Sequence, residues 1–253
     1  MIDLLKIIIR LSAFFGLILS STAYADVATD QRDAREIVAD TIASGATLLR
    51  LVGQNELTAL PKQVVNAKQV LVLELSENKL GDISALTGLT RLEYLVSNFT
   101  EITDISSLSG LTELRYLTLR EARIVDISAL KNLTNLTQLR LYSNEITDIS
   151  VLAGLTKLEE LDISFNQITD ISVLQNLQNL KKLHISHMQV DNLDSIAKLP
   201  LLEEIDIGYS GFENLAALLN LNNLKTIFIE MSRVKDKQVV DQLYAKGVRI
   251  VFY

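Results

Sequence analysis

"LTNLTQLRLYSNEITDISVLAG" (residues 133–154) runs directly into "LTKLEELDISFNQITDISVLQN" (residues 155–176). Both read L-x-x-L-x-x-L-x-(L/I)-x-x-N-x-I-x-D-I-S-x-L-x-x. The register recurs every 22 residues from 67, 89, 111, 133, 155, 177 and 199, with a truncated unit from 221. Upstream, Asn55 and Leu57 match Asn78 and Leu80 at a spacing of 23, which marks one irregular first unit. A fixed period of this length means stacked repeats. Within each unit, an alternation such as Leu139-Arg140-Leu141 is that of a short strand with one face buried. Successive units supply neighbouring parallel strands, and residues such as Ile146, Ile149 and Leu152 fill the space behind them. No unit can bury its apolar face alone, so neighbours stabilise one another and both ends need caps.

The caps are legible too. "TDQRDAREIVADTIASG" (29–45) places Ala34, Ile37, Val38 and Ile42 on one helical stripe, with Gly45 as a stop signal. At the far end, "DKQVVDQLYAKG" followed by "VRIVFY" predicts a helix and a closing strand. The expected organisation is a secretory signal at 1–25, an N-terminal helical cap at 26–46, repeats over 47–234 and a C-terminal cap at 235–253.

The 22-residue period and the recurring "ITDIS" phrase resemble the leucine-rich-repeat superfamily, in the class found in bacterial internalins and in a eukaryotic protein phosphatase regulatory subunit. The resemblance implies an α/β fold: a leucine-rich-repeat solenoid (horseshoe) with a parallel β-sheet on the concave face and short helical or irregular turns on the convex face. It also implies a binding role, without naming a partner.

Polar residues that recur with the period read as scaffold. Asn78, Asn144 and Asn166 sit where the chain leaves the strand, where a buried amide can satisfy backbone groups of adjacent turns. Asp82, Asp104, Asp126, Asp148 and Asp170 precede "IS" and are placed to brace the turn onto the convex side. The asparagine position becomes Thr100, Ala122, Met188 and Ser210 elsewhere, and Asn192 and Asn214 replace the aspartate. A less regular second half is therefore expected.

Function should lie in the positions that do not repeat. Solvent-facing strand residues form columns across the sheet, one residue per unit, about 4.8 Å apart. One column contains Tyr94, Tyr116, Gln138, Glu160, Lys182 and Glu204; the next contains Arg140, Asp162, His184, Asp206 and Phe228. Then come Arg120 and Tyr142, and at the strand ends Phe99, Phe165, His187 and Tyr209. The leucines set this alignment, so the gathering of aromatics in these columns is informative. Exposed aromatics with interspersed arginine are the composition of protein-binding hot spots. The plainer alternative is that some rings brace the sheet. The expected protein-binding surface comprises Tyr94, Phe99, Tyr116, Arg120, Arg140, Tyr142, Asp162, Phe165, His184, His187, Asp206 and Tyr209.

His184 and His187 are the only two histidines. A carboxylate on either side of His184, from Asp162 and Asp206, would favour imidazolium. This reads first as a charge-complementary stack and second as a polar, pH-tuned part of the surface. Those four side chains could also ligate a metal, but a flat open sheet lacks the enclosing shell a metal needs. Ser164 and Ser186 lie near His187, yet there is no nucleophile elbow and no Gly-rich phosphate loop. No catalysis and no cofactor are expected.

The net charge of -7 makes nucleic acid or an anionic membrane an unfavourable partner, because both select basic surfaces. The absence of cysteine excludes disulfides, thiolate chemistry and N-terminal lipidation at cysteine. "MIDLLKIIIRLSAFFGLILSSTAYADV" reads as a secretory signal: Lys6 and Arg10, a short apolar run from Leu11 to Leu19, then Ala23-Tyr24-Ala25 as a cleavage site. The apolar run is far shorter than the roughly 20 residues of a spanning helix. The expected product is secreted or periplasmic, cleaved after Ala25, without a membrane anchor, and monomeric. It would bind a protein partner, or alternatively a glycan or surface polymer through its aromatics. A phosphatase-regulator role conflicts with export.

Overall fold

The computed structural model describes residues 33–54, 57–190, 192–212, 214–230 and 237–253. The expected secretory signal, its cleavage site and the cap residues before 33 lie outside them. The segment Ala34–Tyr253 forms one compact unit. It begins with helix α1 (Ala34–Ser44) and continues as a ten-stranded parallel sheet in sequence order. The strands are β1 (Leu48–Arg50), β2 (Val72–Glu74), β3 (Tyr94–Val96), β4 (Tyr116–Thr118), β5 (Gln138–Arg140), β6 (Glu160–Asp162), β7 (Lys182–His184), β8 (Glu204–Asp206), β9 (Thr226–Ile229) and β10 (Arg249–Phe252), with helix α2 (Lys237–Ala245) before the last. Each repeat returns through a short 3₁₀ turn such as Ser84–Gly88 or Ser150–Gly154.

The leucine ruler sets the register. Leu73, Leu95, Leu117, Leu139, Leu161, Leu183, Ile205 and Ile227 are paired one to the next and are all 0% exposed. Leu and Ile from the turns, such as Ile146, Ile149 and Leu152, complete a continuous core. A fully buried aliphatic side chain contributes about 1.5–3 kcal/mol, so the repeated core is the main stabilising term in a chain without disulfides.

Two polar ladders fasten the turns. Asn144 Nδ2 donates to the carbonyls of Leu119 and Leu141 at 2.8 and 3.0 Å, while its Oδ1 accepts the Ile124 N–H at 3.1 Å. Asn166 repeats the pattern one unit on. On the convex side, Asp82, Asp104, Asp126, Asp148 and Asp170 each accept the N–H two residues ahead, at 2.7–2.8 Å. That backbone bond holds the carboxyls of Asp82, Asp104, Asp126 and Asp170 below their usual pKa.

The second half keeps the parallel sheet although its asparagine ladder is broken at Met188 and Ser210. Parallel register continues through β8 and β9, and Ser210 Oγ donates to the Ile185 carbonyl at 2.8 Å where an asparagine stands elsewhere. Asn192 and Asn214 accept the same i+2 N–H as the aspartates, because the bond needs only an Oδ1. The 3₁₀ turn at Ile196–Lys198 is shortened, as is Ser106–Leu108 in the first half.

Both helices end in the same way. Gly45 and Gly247 adopt φ of 68° and 82°, and the residues after them donate back to Thr41 and Leu243. This Schellman closure needs a left-handed residue, which glycine supplies without a Cβ penalty. The strand ends also turn left-handed, but there without glycine: Glu77, Phe99, Glu121, Ser143, Phe165, His187 and Tyr209 have φ between 53° and 61°.

Candidate concave binding surface

The left-handed turn at each strand end shapes the surface. The N–H of all of these residues but Tyr209 is tied to the next repeat: Phe99 to the Arg120 carbonyl, Phe165 to Ser186 and His187 to Gly208, at 2.9–3.0 Å. Their side chains are therefore held in one row on a fixed backbone pitch.

In that row the rings meet. Phe165 and His187 stack at 3.7 Å between centroids and 18° between planes; His187 and Tyr209 stack at 4.5 Å and 29°. Tyr142 packs on Phe165 at 4.9 Å, and the Arg120 guanidinium lies 4.7 Å from the Tyr142 ring centre. Tyr209 continues to Tyr253 at 5.7 Å, which also meets Phe228 at 6.4 Å. The result is one ladder, Arg120–Tyr142–Phe165–His187–Tyr209–Tyr253. Stacking by Phe165 and Tyr209 covers both faces of the His187 ring, while Tyr142–Phe165 and Tyr209–Tyr253 meet tilted.

Tyr253 was not among the expected site residues. Val251 pairs with Phe228, which carries Tyr253 onto the column of Gly208 and Glu230. Extending the repeat register by 23 residues, from Ile227 to Ile250, would have placed it there. Its ring lies over Gly208, where an added Cβ would come within 2.3 Å of it, and its hydroxyl donates to Asp206 Oδ2 at 2.9 Å. Burial, the Asp206 charge and this hydrogen bond push its phenol pKa well up.

Two expected contact residues prove inaccessible. Tyr116 is only 7% exposed, enclosed by the Tyr94 ring at 6.3 Å and the Arg140 guanidinium at 5.9 Å. Burial raises its pKa. Asp162 is also 7% exposed, and its Oδ1 accepts the Ser164 N–H at 3.2 Å, so it braces the strand end. Arg140 is likewise engaged within the sheet, with Nε 2.8 Å from Glu160 Oε1. Tyr94 and Tyr142 are half-buried, whereas Phe99, Phe165 and Tyr209 are exposed. Phe99 joins no ring stack among the described residues.

The histidines belong to different clusters. His187 is a rung of the ladder. His184 sits in register between Asp162 and Asp206, but its hydrogen bond goes to neither: Nε2 lies 3.2 Å from Glu204 Oε1 in the adjacent column. Burial pulls the His184 pKa down, but the bond to Glu204 and the charges of Asp162, Asp206 and Glu204 outweigh it, and the net shift is upward. The same hydrogen bond lowers the Glu204 pKa. Among the described residues no three His, Asp or Glu side chains converge as a metal-binding group. Ser164 Oγ is occupied in accepting the Ser186 N–H at 3.1 Å.

Parallel three-residue strands, 3₁₀ returns and a bridging asparagine ladder define a leucine-rich-repeat solenoid. The family described as Leucine Rich repeats (2 copies) matches residues 68–110, 112–154 and 134–176. Internalin C2 of Listeria monocytogenes is 30% identical over 76% of this chain and 83% of that one, with a TM-score of 0.70. The internalin InlF of the same organism is 27% identical over 92% and 79%, with a TM-score of 0.65. A leucine-rich-repeat protein of Leptospira interrogans shares the fold at 21% identity, 79% and 64% coverage and a TM-score of 0.52. Among curated protein sequences no match is found. The chain belongs to the leucine-rich-repeat proteins of the internalin type. Among the described residues no helix is long and apolar enough to cross a membrane.

Proposed function

We propose that this chain is an exported binding protein that engages another protein through its concave sheet, with the ladder from Arg120 to Tyr253 as the centre of the contact. The continuous ladder carries the reading. Rings that are already stacked lose little conformational freedom on binding, and Tyr and Arg are the residue types enriched in hot spots. Solenoids of this kind use the concave face as their extended binding surface. Internalin relatives and the repeat composition favour a binding module over an enzyme. Export rests on the segment 1–25, with cleavage after Ala25 and release as a monomer; repeats span 47–234 between caps at 26–46 and 235–253. N-terminal sequencing of the released protein should begin at Asp26.

Burial favours some of these residues over others as contacts. Phe165, His187, Tyr209 and Tyr253 are the exposed rungs, whereas Tyr116 and Asp162 are buried. The His187 ring, stacked on both sides, is poorly placed to stack on a sugar ring, which weighs against a glycan ligand at the ladder's centre. The test is capture with the protein from Asp26 onward, wild type against Phe165→Ala/Tyr209→Ala, read by mass spectrometry and repeated against a glycan array. A protein retained by the wild type and lost by the folded double variant supports the reading. Equal retention by both, or binding to glycans alone, refutes it.

A further inference from the structure

Among the described residues the bridging side chains cover much of a row of strand-end carbonyls, and that of Ser97 is missed. Asn78 Nδ2 reaches the carbonyls of Leu51 and Leu75, Asn144 those of Leu119 and Leu141, Asn166 those of Leu141 and Ile163, and Ser210 that of Ile185. By the same spacing, the Ser97 carbonyl would be met from residue 100 or residue 122. Those positions hold Thr100 and Ala122. Ala122 has no donor, and the Thr100 hydroxyl is buried without a hydrogen-bond partner.

The same repeat carries two further defects. Ser97 occupies the core-facing position held by Leu75 and Leu119 in the flanking units, is 1% exposed, and its hydroxyl has no partner. The Ser107 hydroxyl on the returning turn is also buried and unpartnered. A buried hydroxyl without a partner loses its hydrogen bonds to water and regains them when the structure opens. A solenoid has no long-range contacts to mask such a defect, because its stability is a sum of nearest-neighbour terms.

We propose that the solenoid contains a built-in joint at the β3–β4 interface. There the block from α1 through the turn Ser106–Leu108 opens as a unit, while the repeats carrying the ladder from Tyr142 to Tyr253 stay folded. The joint lies at the ladder's N-terminal end, so its opening changes the reach of the concave face without disturbing the stacked rings. The proposal is independent of any partner and is tested on the protein alone.

The test is native-state hydrogen exchange resolved by residue. The amides of Ser97 and Phe99, which donate to the Thr118 and Arg120 carbonyls across the joint, should exchange at least about ten-fold faster than Leu141 and Ser143, which make the equivalent bonds two repeats on. The isosteric triple variant Ser97→Ala/Thr100→Val/Ser107→Ala removes the stranded hydroxyls and should slow exchange across the joint by about ten-fold or more. Ala122→Asn, which restores a donor to the Ser97 carbonyl, should act in the same direction and serves if the triple variant does not fold. Uniform protection from β2 to β8 would overturn the proposal, as would joint amides left unchanged in a folded variant.

Discussion

Replacing Asn144 with alanine tests how much the bridging ladder holds the repeats together. Four hydrogen bonds disappear, to the Leu119, Leu141 and (at 3.5 Å) Tyr142 carbonyls and from the Ile124 N–H; the Tyr142 carbonyl keeps the Glu121 N–H. Only two groups are stranded, because Asn166 Nδ2 also donates to the Leu141 carbonyl at 3.0 Å. Each stranded buried backbone group costs about 1–3 kcal/mol, so a loss of about 3 kcal/mol is expected once partial access of water is allowed for. At about 2–4 °C per kcal/mol for a domain of this size, the melting temperature should fall by about 6–12 °C. Asn135→Ala is the control: its amide also bonds a carbonyl, that of Thr112 at 3.0 Å, but in an exposed setting. It should cost no more than about 0.5 kcal/mol. Thermal and urea unfolding of both variants, with exchange at the Ile124 amide, measure the difference. A loss for Asn144→Ala equal to that of Asn135→Ala would refute the reasoning, since burial would then confer no extra weight on the bridge.

Four further outcomes are expected. Ser143 has φ of 56°, so Ser143→Gly should raise stability by about 0.5–1 kcal/mol while Ser143→Val lowers it, measured by thermal unfolding. Gly208→Ala should dislodge Tyr253 from Asp206; with its burial and hydrogen bond gone, the phenol pKa should drop toward about 10, as followed by NMR titration. The folded His184 pKa lies above its unfolded value, so its contribution is fully present below about pH 6.5 and is lost as pH rises through the folded pKa. The stability gap between wild type and His184→Gln should accordingly shrink on going from acid to alkaline pH. Glu204→Gln should lower the His184 pKa, and an unchanged imidazole titration in that variant would remove Glu204 as the controlling partner.

The 22-residue leucine period determined the fold from sequence alone. It fixes the strand positions, the parallel register and the inward side of each strand, because a solenoid's contacts are all between units that are neighbours in sequence. The same logic identified the bridging asparagines and turn-bracing aspartates, whose partners lie within the same or adjacent repeats. Periodicity gives the side a residue faces, but not what covers it. Tyr116 and Asp162 face the concave side as the alternation requires and are nonetheless buried, Tyr116 between Tyr94 and Arg140. The left-handed strand ends carry no glycine to announce them; repeated backbone bonds to the next unit hold Phe165 and His187 there. His184 chose Glu204 over the two aspartates in its own column because a side chain can reach diagonally across the sheet. Tyr253 joined the ladder through an irregular cap that breaks the period. These are distances between side chains of different columns, and only the folded sheet sets them.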